Sequence, residues 1–79
     1  MKYTDYFKNQ IREKRAYLRD EWLEQAISAP IRTEVQENKR IRHWIFLPDV
    51  GKYLRVVTEP DGETVHNAFY DRRFKEDRK

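Results

Sequence analysis

The chain has no cysteine, which excludes disulfides and thiolate metal sites. Its two histidines and scattered carboxylates make a poor zinc set, and neither metal nor cofactor is expected. Two glycines are too few for a phosphate-cradling glycine loop. Neither a Gly-x-Ser-x-Gly elbow nor a His-Glu-x-x-His helix occurs, so nucleotide-dependent, serine-hydrolase and zinc-protease chemistries are set aside. No apolar run approaches a membrane span, and the amino terminus is polar and charged, unlike a signal peptide. A cytoplasmic protein without a membrane partner is the expectation, and the absence of cysteine suits it. A strong charge of one sign is missing too. Charged residues form 39% of the chain, yet the net charge is +3. Residues 1–29, 30–70 and 71–79 carry +1, 0 and +2. A dedicated DNA-binding module shows a stronger basic stripe, so the balance permits a nucleic-acid partner without requiring one.

What is present fits a single domain. Seventy-nine residues lie near the lower limit for a core without staples. The domain is expected over residues 1–75, with 76–79 a disordered charged tail. Thr4 or Asp5 can cap a helix running to about Lys14, with Tyr3, Tyr6, Phe7 and Ile11 as a rough apolar stripe. Asp20 is the expected N-cap of a second helix. Trp22, Leu23, Ala26 and Ile27 line one of its faces, and Pro30 ends it. Arg32 to Gln36 reads as a short strand. Residues 41–70 read as three strands separated by Pro48-Asp49-Val50-Gly51 and Pro60-Asp61-Gly62. In these turns proline presets φ, aspartate bonds the local backbone and glycine accepts a positive φ. The fold class is therefore α+β, with two N-terminal helices packed on one face of a three- to four-stranded antiparallel meander sheet.

The two turns imply a register. Leu47 would oppose Lys52, Ile45 Leu54 and His43 Val56. A type I turn with a glycine bulge would set Glu59 against Glu63, Val56 against His66 and Leu54 against Ala68. One face then carries Ile41, His43, Ile45, Leu47, Leu54, Val56, His66 and Ala68, suited to packing under the helices. The other carries Arg42, Trp44, Phe46, Tyr53, Arg55, Val57, Val65, Asn67 and Phe69. Two helices cover only one face, and an uncovered aromatic face marks a contact surface.

Two rows carry candidate chemistry. Trp44, Arg55 and Asn67, flanked by Tyr53, Phe46 and Phe69, offer rings for base stacking and polar groups for phosphate or base edges. The same set also suits an aromatic homodimer interface, with Arg55 paired to Glu34 or Glu63. His43 and His66, on backbones roughly 10 Å apart across Val56, could serve as base and acid in RNA cleavage. The alternative is a pair of neutral structural imidazoles at the core margin. Arg72, Arg73 and Lys75 would form a positive rim, or a solvated terminus without function.

The stretch Lys52-Tyr-Leu-Arg-Val-Val-Thr through Asp61-Gly-Glu-Thr-Val-His-Asn-Ala-Phe-Tyr-Asp-Arg-Arg-Phe74 resembles small uncharacterised bacterial proteins of this length. More distantly, element order, size and an aromatic-basic carboxyl end are similar to toxin ribonucleases of the RelE and BrnT type. That resemblance implies N-terminal helices followed by a curved antiparallel sheet. It implies RNA cleavage by basic residues and a tyrosine on the sheet and tail, at positions such as Arg55, Tyr70, Arg72 and Arg73. The near-neutral charge departs from the strongly basic surface of ribosome-dependent toxins.

Two functions follow as expectations. The first is a metal-independent, RNA-cleaving toxin-like protein with Arg55, His66, His43 and Tyr70 as catalytic residues. Trp44, Tyr53, Asn67, Arg72, Arg73 and Lys75 would then bind RNA, and an antitoxin would hold the protein. The second is a non-catalytic interaction module that forms a homodimer or binds a partner through the aromatic sheet face.

Overall fold

The computed structural model describes residues 1–76. Its order is β1 (Lys2–Tyr3), a π-helical turn (Phe7–Ile11) continuing as α1 (Arg12–Lys14), α2 (Asp20–Ser28), β2 (Arg32–Val35), β3 (Ile41–Leu47), β4 (Lys52–Thr58) and β5 (Thr64–Tyr70). The strands form one sheet in the order β1-β5-β4-β3-β2. The four from β2 to β5 make the expected antiparallel meander. The fifth, β1, pairs parallel with β5 through Lys2 and Tyr3 opposite Thr64 and Val65. The sheet is therefore mixed and one strand wider than expected. Two residues are too few to show an alternation of period two, so β1 leaves no pattern in the sequence.

Local chemistry explains the helices. Thr4 Oγ1 accepts the Phe7 N–H at 3.1 Å, the reason the chain turns helical immediately after β1. The wide turn that follows places Phe7 and Ile11 together in the core, both essentially unexposed. In α2, Asp20 and Glu21 occupy the first turn, where carboxylates favour the helix dipole. Arg19, not Asp20, precedes the helix as its cap. The Asp20 carboxylate is engaged elsewhere: it accepts from the Tyr3 hydroxyl at 2.8 Å and from Arg12 Nη2 at 3.1 Å. Those bonds hold its carboxyl below the usual range and tie β1 and α1 to the start of α2. Helix α2 stops at Ser28, two residues before Pro30, as the proline requires.

The core lies between the helices and one face of the sheet. Phe7, Ile11, Leu18, Leu23 and Ala26 pack on Ile45, Leu47, Leu54, Val56, Val65 and Ala68, with Tyr3, Trp22, Ile27 and Tyr70 at its margin. The β3–β4 hairpin has the expected register, with Ile45 opposite Leu54 and Trp44 opposite Arg55 on the reverse face.

The β4–β5 register does not match the expectation. Glu59 N–H bonds Thr64 O at 2.9 Å, which lengthens the loop by one residue. The Asp61 carboxylate fixes that loop by accepting the N–H groups of Glu63 and Thr64. A bulge opposite Val57 and Thr58, in which β5 carries the extra residue His66, then adds a second shift: Thr58 faces Val65, Val57 faces Asn67 and Val56 faces Ala68. Two single-residue shifts restore the original parity from Asn67 onward. Between them the faces are exchanged, so Val65 enters the core and His66 leaves it.

Candidate functional site on the sheet

On the face away from the core, Arg32, Trp44, Arg55 and Phe69 are successive partners across β2, β3, β4 and β5. Phe69 takes the place expected of Asn67, because of the register shift. The chain then folds back over this row. Asp71 Oδ2 accepts from Trp44 Nε1 at 2.9 Å and from Arg55 Nε and Nη2 at 3.1 and 2.8 Å. Burial opposes ionisation of Asp71, but the bonds from Trp44, Arg55 and the Arg73 N–H overcome it and hold its carboxyl below the usual range. Phe74 stacks on Trp44 with centroids 4.8 Å apart, and Arg55 lies 5.5 Å over the same indole. Trp44 is left 3% exposed. Tyr53 packs against Phe46 and Phe74, and its hydroxyl donates to Glu76 at 2.6 Å. Trp44 and Tyr53, expected to be open, are therefore strapped by residues 71–76, whereas Phe46 stays 41% exposed. Arg72, Arg73 and Lys75 stand exposed along that strap. Glu76, assigned from sequence to the disordered tail, is part of the strap, whereas residues 77–79 lie outside the described residues.

The four residues expected to share catalysis occupy two sides of the sheet. His43 is buried on the core side, with Nε2 2.9 Å from Thr58 Oγ1 and Nδ1 without a partner. Burial lowers its pKa. Tyr70 packs at the core margin against Tyr17, and burial raises its pKa. Arg55 faces the other way and is committed to Asp71. His66, released by the bulge, forms no row with His43. It lies against a cluster that sequence reasoning missed.

That cluster joins three strand ends to the amino terminus. Arg40 Nε donates to Glu59 Oε1 at 2.6 Å, and the same oxygen is 3.8 Å from His66 Nδ1. Nδ1 is also 3.1 Å from Thr4 Oγ1, and the Tyr6 ring stacks on the imidazole at 4.8 Å. Burial, then Arg40, lowers the His66 pKa, and Glu59 partly opposes them. His66 Nε2 has no bonded partner among the described residues and is not buried. Next along the bulge, Asn67 Oδ1 accepts from Arg15 Nη1 at 3.1 Å, and Arg15 lies 5.7 Å over Phe69. Among the described residues no carboxylate neutralises Arg15. Arg15 is 52 residues from Asn67, and no local signal in the sequence links them.

The arrangement offers an imidazole with a free nitrogen, a carboxylate 3.8 Å from its other nitrogen and, held by the next residue, Asn67, a guanidinium without a carboxylate partner among the described residues. Such a set can move a proton and hold an anion. Among the described residues no group of three or more histidine, aspartate or glutamate side chains is placed to hold a metal ion, and no helix is long and apolar enough to cross a membrane. No protein-family model matches the chain, and no curated protein and no solved structure matches it either.

Proposed function

We propose that the chain is a small RNA-cleaving protein working without a metal, of the RelE and BrnT toxin type its sequence resembles, with His66 as its base. The observation that carries the reading is the unbonded Nε2 of a His66 whose Nδ1 faces Glu59 at 3.8 Å, with the next residue, Asn67, holding Arg15. With Nδ1 protonated and directed to Thr4 and Glu59, Nε2 is the basic nitrogen. It takes the proton from a ribose 2′-OH, whose oxygen attacks the adjacent phosphorus. The bond to the 5′-oxygen breaks, that oxygen takes a proton from solvent, and a 2′,3′-cyclic phosphate remains. Glu59 steadies the imidazolium that forms, as a carboxylate behind a histidine does elsewhere. Arg15 holds the phosphate charge. Arg72, Arg73 and Lys75 extend a positive rim for the strand. The Arg55 role changes from catalysis to anchoring the strap. RNA as substrate implies action in the cytoplasm, with an antitoxin as the restraining partner.

The test is incubation of the purified chain with end-labelled RNA in EDTA. Cleavage to cyclic-phosphate ends is expected, with a loss of about 100-fold or more in His66→Ala, in line with removal of a general base. Arg15→Ala should weaken binding as well as rate. Unchanged cleavage by His66→Ala, or none by the wild type on any RNA across pH 5–9, overturns the reading.

A second reading, a non-catalytic interaction module, draws on a surface other than the strapped rings: Ile31, just before the outer strand β2, and Val35, at its end, have 46% and 69% of their surface exposed.

A further inference from the structure

We propose that two copies of this chain join edge to edge through β2, antiparallel about Thr33, into one continuous ten-stranded sheet. The proposal does not depend on RNA cleavage. Strand β2 has β3 on one side and, among the described residues, no strand on the other. Gln36 N–H bonds Arg40 O at 2.8 Å, and Arg40 is its partner in the ladder that pairs Glu34 with Arg42 and Arg32 with Trp44. In an antiparallel ladder hydrogen-bonded residues alternate. Arg32 and Glu34 therefore spend their backbone groups on β3, and Thr33 and Val35 turn theirs outward. Natural edges are blunted by proline, lysine or an inward charge. Arg32-Thr33-Glu34-Val35 has none of these on its outward residues, and α2 lies over β3 and β4 instead.

The strand also selects its own partner. Three symmetric antiparallel registers keep the pairing within the strand and use the outward-facing backbone; one centred on Val35 would run into the turn after Gln36. Centred on Arg32, the pairing sets arginine against arginine. Centred on Glu34, it sets glutamate against glutamate. Centred on Thr33, it sets each Arg32 against the other copy's Glu34 and each Ile31 against the other copy's Val35. Opposite charges directly across a pair stabilise it and like charges destabilise it. Of these, only the Thr33 register is complementary in charge. Arg32 and Glu34 already lie 2.9 Å apart within one chain, so the four groups close an alternating ring of charge. Thr33 and the exposed Val35 lie on the helix side, whereas Ile31, whose N–H bonds Trp44 O at 2.8 Å, lines a cleft with Arg32 and Phe74 on the strapped side. A two-fold axis perpendicular to the sheet makes the interface isologous and leaves both copies' strapped faces on the same side.

Sedimentation velocity across a concentration series tests this. Wild type should show a species of twice the 9.8 kDa chain mass. Thr33→Pro removes only an outward N–H and should give monomer with an unchanged circular dichroism spectrum. Arg32→Glu and Glu34→Arg should each dissociate at least tenfold more readily, and the double exchange should restore the dimer. The chain has no cysteine, so Thr33→Cys offers a second test that needs no disruption. Across a hydrogen-bonded pair Cα atoms lie about 5.5 Å apart, within disulfide reach, and mild oxidation should cross-link Thr33→Cys but not Asn9→Cys. A wild type monomeric at every concentration, a dimer indifferent to Thr33→Pro and to both charge reversals, or equal cross-linking of the two cysteine variants overturns the proposal.

Discussion

Arg55 grips a single oxygen of Asp71 with two nitrogens, Nε at 3.1 Å and Nη2 at 2.8 Å. Asp71 is nearly unexposed and Arg55 about a quarter exposed, so solvent does little to screen the pair. Asp71→Ala leaves the Arg55 charge and the Trp44 N–H without their partner and frees the strap. A destabilisation of about 2–4 kcal/mol is expected. In a Trp22→Phe background, Trp44 emission should also shift to the red as Phe74 leaves the indole. Unchanged urea midpoint and unchanged emission would refute the strap.

Lys39 holds φ at 74° in the turn between β2 and β3, a left-handed conformation that costs a side chain roughly 1 kcal/mol. Lys39→Gly should therefore raise stability by up to about 1 kcal/mol, less the entropy that glycine adds to the unfolded chain. Gly62 has the same φ of 74°, and a Cβ there would meet only Ile41 Cδ1 at an ordinary contact distance of 3.9 Å, so Gly62→Ala should lose a similar amount through backbone strain. Thermal melts of the two variants should move in opposite directions.

Thr4 serves two partners, the Phe7 N–H and the His66 ring. Thr4→Ala should cost about 1 kcal/mol as a lost cap. It should also change the NMR titration of His66 while leaving that of His43 unmoved. Equal changes at both rings would show a general loosening instead.

Burial lowers the pKa of His43 from 6.5, and His66 shifts the same way. A base whose folded pKa is depressed takes up its proton first in the unfolded chain. Stability is complete above pH 6.5, is lost as pH falls from 6.5 toward the folded values, and levels off below them. Asp61 does not enter this window, because its bonds from Thr64 and Glu63 hold it at about 2 and it acts only below 3.8. Urea midpoints at pH 7.5 and 5.5 should differ, and His43→Gln should reduce the difference. Identical midpoints for the wild type would contradict the burial of His43.

The hairpin of β3 and β4 is legible in the chain because its turn residues and its apolar alternation agree. Proline, aspartate and glycine close a loop of defined length, and Ile45 and Leu54 both need the core. The next turn has the same residue types, yet its register is decided by competition. Asp61 bonding Glu63 and Thr64, β1 docking beside Thr64, and Val65 competing with His66 for the core are all contacts that no local pattern displays. The histidine row dissolves for that reason. Asp71 is hidden differently: beside Arg72 and Arg73 it reads as one more tail charge, and only the fold brings it under Trp44.

The strap gives the sheet a cover written in six consecutive residues, 71–76, independent of the helices that seal the opposite side. Altering its exposed residues Arg72, Arg73 and Lys75 would repaint the surface offered to other molecules, while Asp71 and Phe74 keep the cover seated on Trp44. A lineage of such chains can thus diversify what it touches by editing its last turn while inheriting its foundation unchanged.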